Sequence, residues 1–286
     1  MSDQSQPRVL VTGAGGQLAS DLRLVLDPAR SVFVDRASVD ITDGAAVDSC
    51  VGSTRPDVIV NCAAFTAVDQ CETDTELAHA VNGYGPELLV SAAARHGCRV
   101  IQISTDYVFD GTKMQPYIES DQTNPTSVYG QSKLRGELAM RSDQDLIVRT
   151  SWLCGLYGSN MLKTVVRLAL ADVEMSFVDD QIGHPAFTGD VAQVLLRLIR
   201  ADHSGICHVT NQGTVSWFEF VQAILVAMGR SADQVNPVST AQLDPPRPAP
   251  RPANSVLDNA ALRAWGVEAA PDFRDSLPAL VARLCA

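Results

Sequence analysis

Short apolar runs alternate with longer amphipathic segments along the first 150 residues. The runs predict β-strands over 8–12, 31–34, 57–61, 99–104 and 145–150. They are apolar on both faces, which is typical of parallel strands that are covered by helices on both sides. The segments between them predict helices over 17–26, 44–52, 75–95 and 128–141. This alternation predicts an α/β fold with a doubly wound parallel sheet of the Rossmann type.

The alternation becomes less regular after Ser151. We predict one strand over 205–210 and helices over 160–170, 191–199, 217–228 and 272–285. The proline-rich segment 244–252 excludes regular helix and central strand, because proline lacks an N–H donor and disfavours helical backbone before it. We interpret it as ordered and extended, with a disordered linker as the alternative. We therefore expect a dinucleotide-binding domain over 1–150. The smaller mixed α/β domain over 151–286 would be mainly substrate-binding, and some of its segments would return to the first domain.

Composition and charge exclude several classes of protein. The chain has 286 residues, 46% of them hydrophobic, and a formal net charge of −11. It can bury a sizeable core, and it repels nucleic-acid phosphates, so we expect no nucleic-acid partner. No apolar run approaches the ~20 residues that span a bilayer, and the sequence starts without a signal-like segment. We therefore expect no membrane association and a cytoplasmic location. The seven cysteines include no CxxC pair, which favours reduced thiols over a zinc site.

A glycine-rich turn, GAGG from Gly13, follows the first predicted strand and precedes a helix. Gly13 permits a sharp turn, Gly16 lets a pyrophosphate approach the backbone, and the helix N-terminus offers N–H donors to phosphate. The second strand ends at Asp35 and Arg36, where an adenosine ribose is expected. A carboxylate there favours NAD, whereas a guanidinium pairs with the 2′-phosphate of NADP. With both residues present, the choice between the two cofactors stays open.

Tyr129 and Lys133 form a YxxxK pair on one face of a predicted helix. An ammonium group one turn away favours the phenolate, so we expect Lys133 to lower the pKa of Tyr129 and to bind the nicotinamide ribose. Thr105 lies at the carboxyl end of the preceding strand, where parallel sheets bind ligands, and its hydroxyl can donate to a substrate carbonyl. A surface Tyr–Lys pair is the alternative. The position of the pair, after the fourth strand–helix unit, favours catalysis.

The motifs as a set resemble those of the extended short-chain dehydrogenase/reductases and, more narrowly, of the dTDP-4-dehydrorhamnose reductase family. STDYVFDG followed by YGQSK and RTSW is the most specific combination. The matching segments run over almost the whole chain: GAGGQLA from Gly13, NCAAFTAVDQCE from Asn61, VNGYGPELL from Val81, STDYVFDG from Ser104, VYGQSKLRGE from Val128, RTSWL from Arg149, DDQIGHPA from Asp179 and RPANSVLD from Arg251.

The resemblance implies reduction of the 4-keto group of a dTDP-4-keto-6-deoxy sugar by a monomer or homodimer, with NADPH as cofactor and NADH as a second option. It implies that Tyr129 donates the proton to O4, that Thr105 polarises the carbonyl and that Lys133 orients the cofactor. Cofactor contacts are implied for Gly13, Gly16, Gln17, Leu18, Asp35, Arg36, Asp40, Ile41, Ala63, Ala64 and Asn82. Substrate contacts are implied for Val68, Asp106, Tyr107, Trp152 and Arg251.

The sequence departs from the family pattern DQ-x-G-x-P-T at Ala186, which follows Pro185. We expect loop 179–186 near the sugar, so the missing hydroxyl predicts a different keto sugar, unless Ala186 only packs under the loop. Glutamates that hold a metal in some members have no counterpart here, and no metal is expected.

Three functions fit this resemblance. The first is reduction of dTDP-4-dehydrorhamnose to dTDP-L-rhamnose. The second is the same chemistry on another dTDP-4-keto-6-deoxyhexose, in secondary-metabolite biosynthesis. The third is a non-catalytic regulatory subunit, against which the intact Thr105, Tyr129 and Lys133 set argues.

Overall fold

The computed structural model describes residues 6–286. The prediction that the sequence starts without a signal-like segment therefore falls partly outside the described residues. The strands are β1 (Val9–Thr12), β2 (Ser31–Val34), β3 (Val58–Asn61), β4 (Arg99–Thr105), β5 (Leu146–Thr150), β6 (Leu153–Cys154), β7 (Met175–Val178), β8 (Ile182–Gly183), β9 (Ala186–Phe187), β10 (Gly205–His208), β11 (Val215–Ser216) and β12 (Val235–Val238). The helices are α1 (Gln17–Val25), α2 (Gly44–Thr54), α3 (Val68–Cys71), α4 (Thr75–His79), α5 (Gly85–His96), α6 (Val128–Leu138), α7 (Met161–Leu170), α8 (Thr188–Ala201), α9 (Trp217–Ala227), α10 (Ala260–Trp265) and α11 (Phe273–Cys285).

Six parallel strands form the central sheet in the order β10-β5-β4-β3-β1-β2. Alternate residues of these strands enter two cores on opposite faces: Val9 and Val11 pack with α1 and α8, whereas Leu10 packs with α2 and α5. The doubly wound parallel sheet predicted from the sequence is therefore confirmed. The carboxyl ends of β1, β3, β4 and β5 meet along one edge, where such sheets bind ligands.

The second half of the chain contributes to both parts of the molecule. Strand β10 pairs with β5, and α8 packs against α1 in the core of the large sheet. Helices α7, α9 and α11 enclose a separate core together with short strands, among them the parallel pair β7–β12. We keep the division near residue 150 as a proposal, with β10 and α8 assigned to the first unit.

The helix predicted over 75–95 is interrupted. Helices α4 and α5 are separated by a π-helical segment, Ala80–Tyr84, and Pro86 occupies the first turn of α5. Proline has no N–H to donate to the carbonyl four residues back, which is that of Asn82, so the hydrogen-bond pattern widens there. The Asn82 carbonyl faces α6, where any side chain at Gly136 would collide with it.

Segment 244–252 lies outside helix and strand, as predicted. It is tied to α3, because the backbone N–H of Ala249 and the guanidinium of Arg251 both donate to Asp69. Within residues 6–286, no helix has both the length and the apolar character needed to cross a bilayer.

Candidate active site

The carboxyl end of β4 presents Thr105 and Asp106 to a cavity of about 530 Å³. Strand β4 is buried throughout, and a 3-10 turn, Asp106–Val108, follows it directly. Thr105 caps this turn: its Oγ1 accepts from the backbone N–H of Tyr107 at 3.2 Å and donates to Asp106 Oδ1 at 2.9 Å. Burial raises the pKa of Asp106 to about 6.

Helix α6 brings Tyr129 and Lys133 to the same cavity. Ser127 caps the helix by accepting from the N–H of Gly130. Gly130 lies so close to the Tyr107 carbonyl that a Cβ would collide with it, and this contact sets the helix against the turn. Tyr129 also packs edge-to-face on the Tyr107 ring, with 5.6 Å between centroids. The structure thus brings Thr105, Tyr129 and Lys133 together.

Burial shifts the pKa values of both Tyr129 and Lys133. Burial raises the pKa of Tyr129 above its usual value, although a hydrogen bond from Thr105 acts in the opposite direction. The net direction is contrary to the lowering by Lys133 that we expected from the spacing. The Lys133 ammonium instead donates to the Ile103 carbonyl at 2.6 Å, and burial lowers its pKa to about 8. Tyr129 is therefore protonated at neutral pH, as a proton donor must be.

A buried ion pair anchors α6 behind the site. Glu137 lies one turn after Lys133 and accepts from Arg149 of β5 at 2.7 and 2.9 Å and from Ser104 of β4 at 2.5 Å. Both charged side chains are only 3% exposed. The contacts fix the helix that carries Tyr129 and Lys133 to the two strands beneath it.

A second cavity of about 440 Å³ lies at the glycine turn and shares Gly15, Gly16, Cys62 and Ala64 with the first. Gly13 has φ +70°, and a Cβ there would collide with the backbone at Ala63, so this turn requires glycine. Gly16 precedes α1 without a side-chain cap, which leaves the first-turn N–H groups of the helix available. Most residues expected to contact the cofactor line these two cavities: Gly13, Gly16, Gln17, Leu18, Asp35, Arg36, Asp40, Ile41, Ala63 and Ala64.

Asn82 was also expected to contact the cofactor, and it is the one residue of that set that lines neither of these two cavities. It accepts from the Phe65 N–H at 2.8 Å and donates to the Phe65 carbonyl and to Ser132 Oγ. It therefore holds the loop after β3 against α6.

The polar groups at the end of β2 are exposed and partnered with one another. Asp35 accepts from the N–H and hydroxyl of Ser38, and these hydrogen bonds lower the pKa of Asp35. Arg36 Nε lies 3.4 Å from Asp40 Oδ2. Both Asp35 and Arg36 line the cavity at the glycine turn, so a carboxylate and a guanidinium both border the position expected for the adenosine ribose.

Four of the five residues expected to contact the substrate line the larger cavity: Val68, Asp106, Tyr107 and Trp152. The fifth, Arg251, forms a bidentate pair with Asp69 at 2.6 and 2.8 Å. The Asp69 carboxylate thus supplies an anion to this guanidinium within the chain, and the hydrogen bond from Arg251 lowers the pKa of Asp69.

Sequence reasoning missed residues that reach the cavity from distant segments. Trp217, the first residue of α9, stacks on Trp152 with 3.7 Å between centroids and lines the cavity. Asn160 caps α7 and donates to Gln17 Oε1 at 2.8 Å. The N-cap pattern at Asn160 was a usable signal for a helix start, but its contact with Gln17 depends on the tertiary fold.

Ala186 is fully buried in the core of the large sheet, between β6 and α8. This supports packing under the loop, and the expectation that its missing hydroxyl faces the sugar is wrong. We expect Ala186→Thr to lower the free energy of unfolding by ~1–3 kcal/mol through overpacking. Chemical denaturation checks this value, while the ranking of sugar substrates should match that of the wild type. A changed ranking at unchanged stability would contradict the buried placement.

Metal-binding groups are sparse in the described part of the chain. Asp21, the acidic residue of α1, is buried and accepts from the Thr188 hydroxyl at 2.5 Å. Across residues 6–286, no group of three or more His, Cys, Asp or Glu side chains is placed to hold a metal ion.

Comparisons with known proteins extend over nearly the whole chain. A family model described as the RmlD substrate binding domain matches residues 7–285. The dTDP-4-dehydrorhamnose reductase of Streptomyces griseus is 41% identical over 297 residues, covering 99% of this chain and 97% of that protein. The dTDP-4-keto-6-deoxy-D-glucose reductase of Streptomyces niveus is 37% identical over 265 residues, covering 91% of each. The crystal structure of dTDP-4-dehydrorhamnose reductase from Bacillus anthracis in complex with NADP has a TM-score of 0.92 at 36% identity, covering 97% of this chain and 99% of that one.

Proposed function

The chain belongs to the dTDP-4-dehydrorhamnose reductase family, and we propose on this basis that it reduces dTDP-4-dehydrorhamnose to dTDP-L-rhamnose with NADPH. The observation that carries the proposal is the meeting of Thr105, Tyr129 and Lys133 in one cavity. That cavity shares four lining residues with the one at the glycine turn, which supports a dinucleotide site beside the three side chains.

The residues at the glycine turn fit a dinucleotide. The uncapped first turn of α1 offers N–H donors to a pyrophosphate, and Gly15 and Gly16 leave the backbone accessible from both cavities. Arg36 and Asp35 line the end where the adenosine ribose belongs. Bound NADPH supplies the hydride that is added at C4 of the sugar.

The side chains of the larger cavity handle the proton and the developing charge. Tyr129 keeps its proton at neutral pH and donates it to O4 as that oxygen becomes negative. The Thr105 hydroxyl donates a hydrogen bond to the same oxygen. Lys133 stays charged below about pH 8 and orients the cofactor ribose from the buried side of the site.

Cofactor choice is tested by Arg36→Ala. We expect NADPH binding to weaken by about 1–3 kcal/mol, because a guanidinium–phosphate hydrogen bond is lost, and NADH binding to change little. Fluorescence titration with each cofactor measures both dissociation constants. Arg95→Ala, which removes an exposed guanidinium paired with Asp48, is the matched control. Equal losses for NADPH and NADH would show that Arg36 stacks on adenine and does not bind the phosphate.

The substrate is tested by NADPH oxidation against a panel of dTDP-4-keto-6-deoxy sugars, with product configuration determined by NMR. We expect dTDP-4-dehydrorhamnose to give the highest kcat/KM. The S. niveus relative supports a second candidate, reduction of another dTDP-4-keto-6-deoxyhexose, which a different preferred sugar in the panel would establish. Absence of turnover with every member of the panel would overturn the proposal.

We also propose a cytoplasmic enzyme that acts as a monomer or homodimer. All seven cysteines are free thiols, which suits a reducing compartment.

A further inference from the structure

Asp106 is a carboxyl group with one oxygen left without a partner. The residue is 2% exposed and lines the larger cavity. Its Oδ1 accepts from Thr105, whereas its Oδ2 has no hydrogen-bond partner among residues 6–286. The nearby Ser255 hydroxyl lies 3.4 Å from the Ile182 carbonyl and acts to lower the pKa of Asp106, but burial of the carboxyl outweighs it. An ionised carboxylate is costly in such surroundings, and a protonated one is less so.

The protonation state of Asp106 determines which group the Thr105 hydroxyl can donate to. A threonine hydroxyl has one donor and two acceptor positions. The Tyr107 N–H occupies one acceptor position. The single donor has two acceptors within reach, Asp106 Oδ1 at 2.9 Å and the Tyr129 phenol oxygen. An ionised carboxylate is the stronger acceptor of the two. While Asp106 is ionised, the donor of Thr105 is therefore committed to the carboxylate. If Asp106 is protonated, its own O–H can donate across the same contact to the second acceptor position, and the Thr105 hydrogen becomes free.

We propose that Asp106 is a positioning residue whose protonation directs the Thr105 hydroxyl onto O4 of the substrate, and whose ionisation withdraws it. The proposal rests on the proposed reductase function. The Asp106 proton stays on Asp106 throughout: the hydride goes to C4, and the proton that reaches O4 is that of Tyr129. Activity is thus expected to be highest in the pH range where Asp106 is protonated and to fall as the pH rises.

The charged and titratable groups around Asp106 do not titrate in the pH range where Asp106 does. The phenols of Tyr107 and Tyr129 have pKa values raised above their usual range by burial, so both are neutral. The Arg251 charge is paired with Asp69. Lys133 donates to the Ile103 carbonyl and loses its proton only near pH 8. Burial places the pKa of Asp106 at about 6, below the titration of Lys133.

The test is the pH dependence of kcat for the wild type and for Asp106→Asn, with saturating NADPH and dTDP-4-dehydrorhamnose. The amide is an uncharged isostere that donates to Thr105 at every pH, as the protonated carboxyl does. In the wild type we expect kcat to fall by roughly tenfold or more above a midpoint at or above pH 6, the scale for losing one donor to a developing oxyanion. In Asp106→Asn this decrease should disappear, which leaves only the decrease near pH 8 from Lys133.

Controls separate the proposal from a general effect of charge. Asp143→Asn removes an exposed carboxylate from the opposite end of the sheet and should keep the wild-type profile. Thr105→Val removes the hydroxyl that is directed, so its low residual rate should lack the decrease above pH 6. A wild-type-like decrease in Asp106→Asn would overturn the proposal.

A measurement on the wild type that needs no turnover keeps the proposal testable if the variants misfold. A carbon-13 NMR titration of aspartate-labelled wild-type protein reads the Asp106 carboxyl directly, and the proposal requires its pKa to be raised to about 6. A carboxyl that is ionised throughout the titration would refute the proposal. If the wild type reduces no dTDP-4-keto sugar, the proposed function fails, whereas the NMR titration still reports on the Asp106 proton.

Discussion

Replacing Tyr129 by Phe is expected to lower kcat by ~10²–10⁴, the usual scale for the loss of a general acid. The substitution removes the hydroxyl that we propose donates to O4, and it keeps the ring that packs on Tyr107. The affinity for NADPH should therefore stay near that of the wild type. Steady-state kinetics with dTDP-4-dehydrorhamnose and a separate fluorescence titration of NADPH measure the two quantities.

Tyr84→Phe is the matched control for this prediction. Tyr84 lies in the π-helical segment and is 45% exposed, so loss of its hydroxyl should leave kcat unchanged. A Tyr129→Phe variant that keeps more than about a tenth of wild-type turnover would remove Tyr129 from the role of proton donor.

Replacing Glu137 by Gln is expected to lower the free energy of unfolding by ~3–5 kcal/mol, because it leaves the buried Arg149 charge uncompensated. The two side chains are each 3% exposed, and Glu137 also accepts from Ser104. Urea denaturation of wild type and variant measures the difference. The kcat of the folded variant should fall as well, since Tyr129 and Lys133 lie on the helix that Glu137 anchors.

An exposed pair in the same chain provides the comparison. Glu268 pairs with Arg197 but is 77% exposed, and Glu268→Gln should cost less than ~1 kcal/mol. The double variant Glu137→Leu/Arg149→Met should recover much of the stability, since apolar residues of similar size replace buried pairs well. Equal stabilities of Glu137→Gln and the wild type would show that the pair is not an anchor.

The sheet, and the meeting of Thr105, Tyr129 and Lys133 in one cavity, could be predicted from the sequence because their signals are local. Runs such as RVLVT ending at Gly13 show both the strand and the turn that follows it. The YxxxK spacing fixes the relation of Tyr129 to Lys133 within one helix. Thr105 was expected to lie beside them because the carboxyl ends of parallel strands meet at one edge of the sheet, where ligands bind.

The remaining features depend on contacts between distant segments. Trp217 reaches the cavity because β11, which leads directly into α9, pairs with β8 and brings Trp217 onto Trp152. Ala186 enters the core because β9 pairs with β6, so its place in a family motif was a misleading guide to the sugar. The direction of the Tyr129 pKa was missed for a similar reason: helical spacing reveals the neighbouring ammonium, whereas burial of the phenol depends on the whole fold.

The central claim is hydride transfer to C4 of a dTDP-4-keto sugar, and isotopic transfer tests it most directly. Wild-type protein is incubated with dTDP-4-dehydrorhamnose and NADPH that carries deuterium at the transferable position of nicotinamide C4. We predict one deuterium in the product, located by NMR at C4 of dTDP-L-rhamnose. A product without deuterium at C4, or no product at all, would contradict the account.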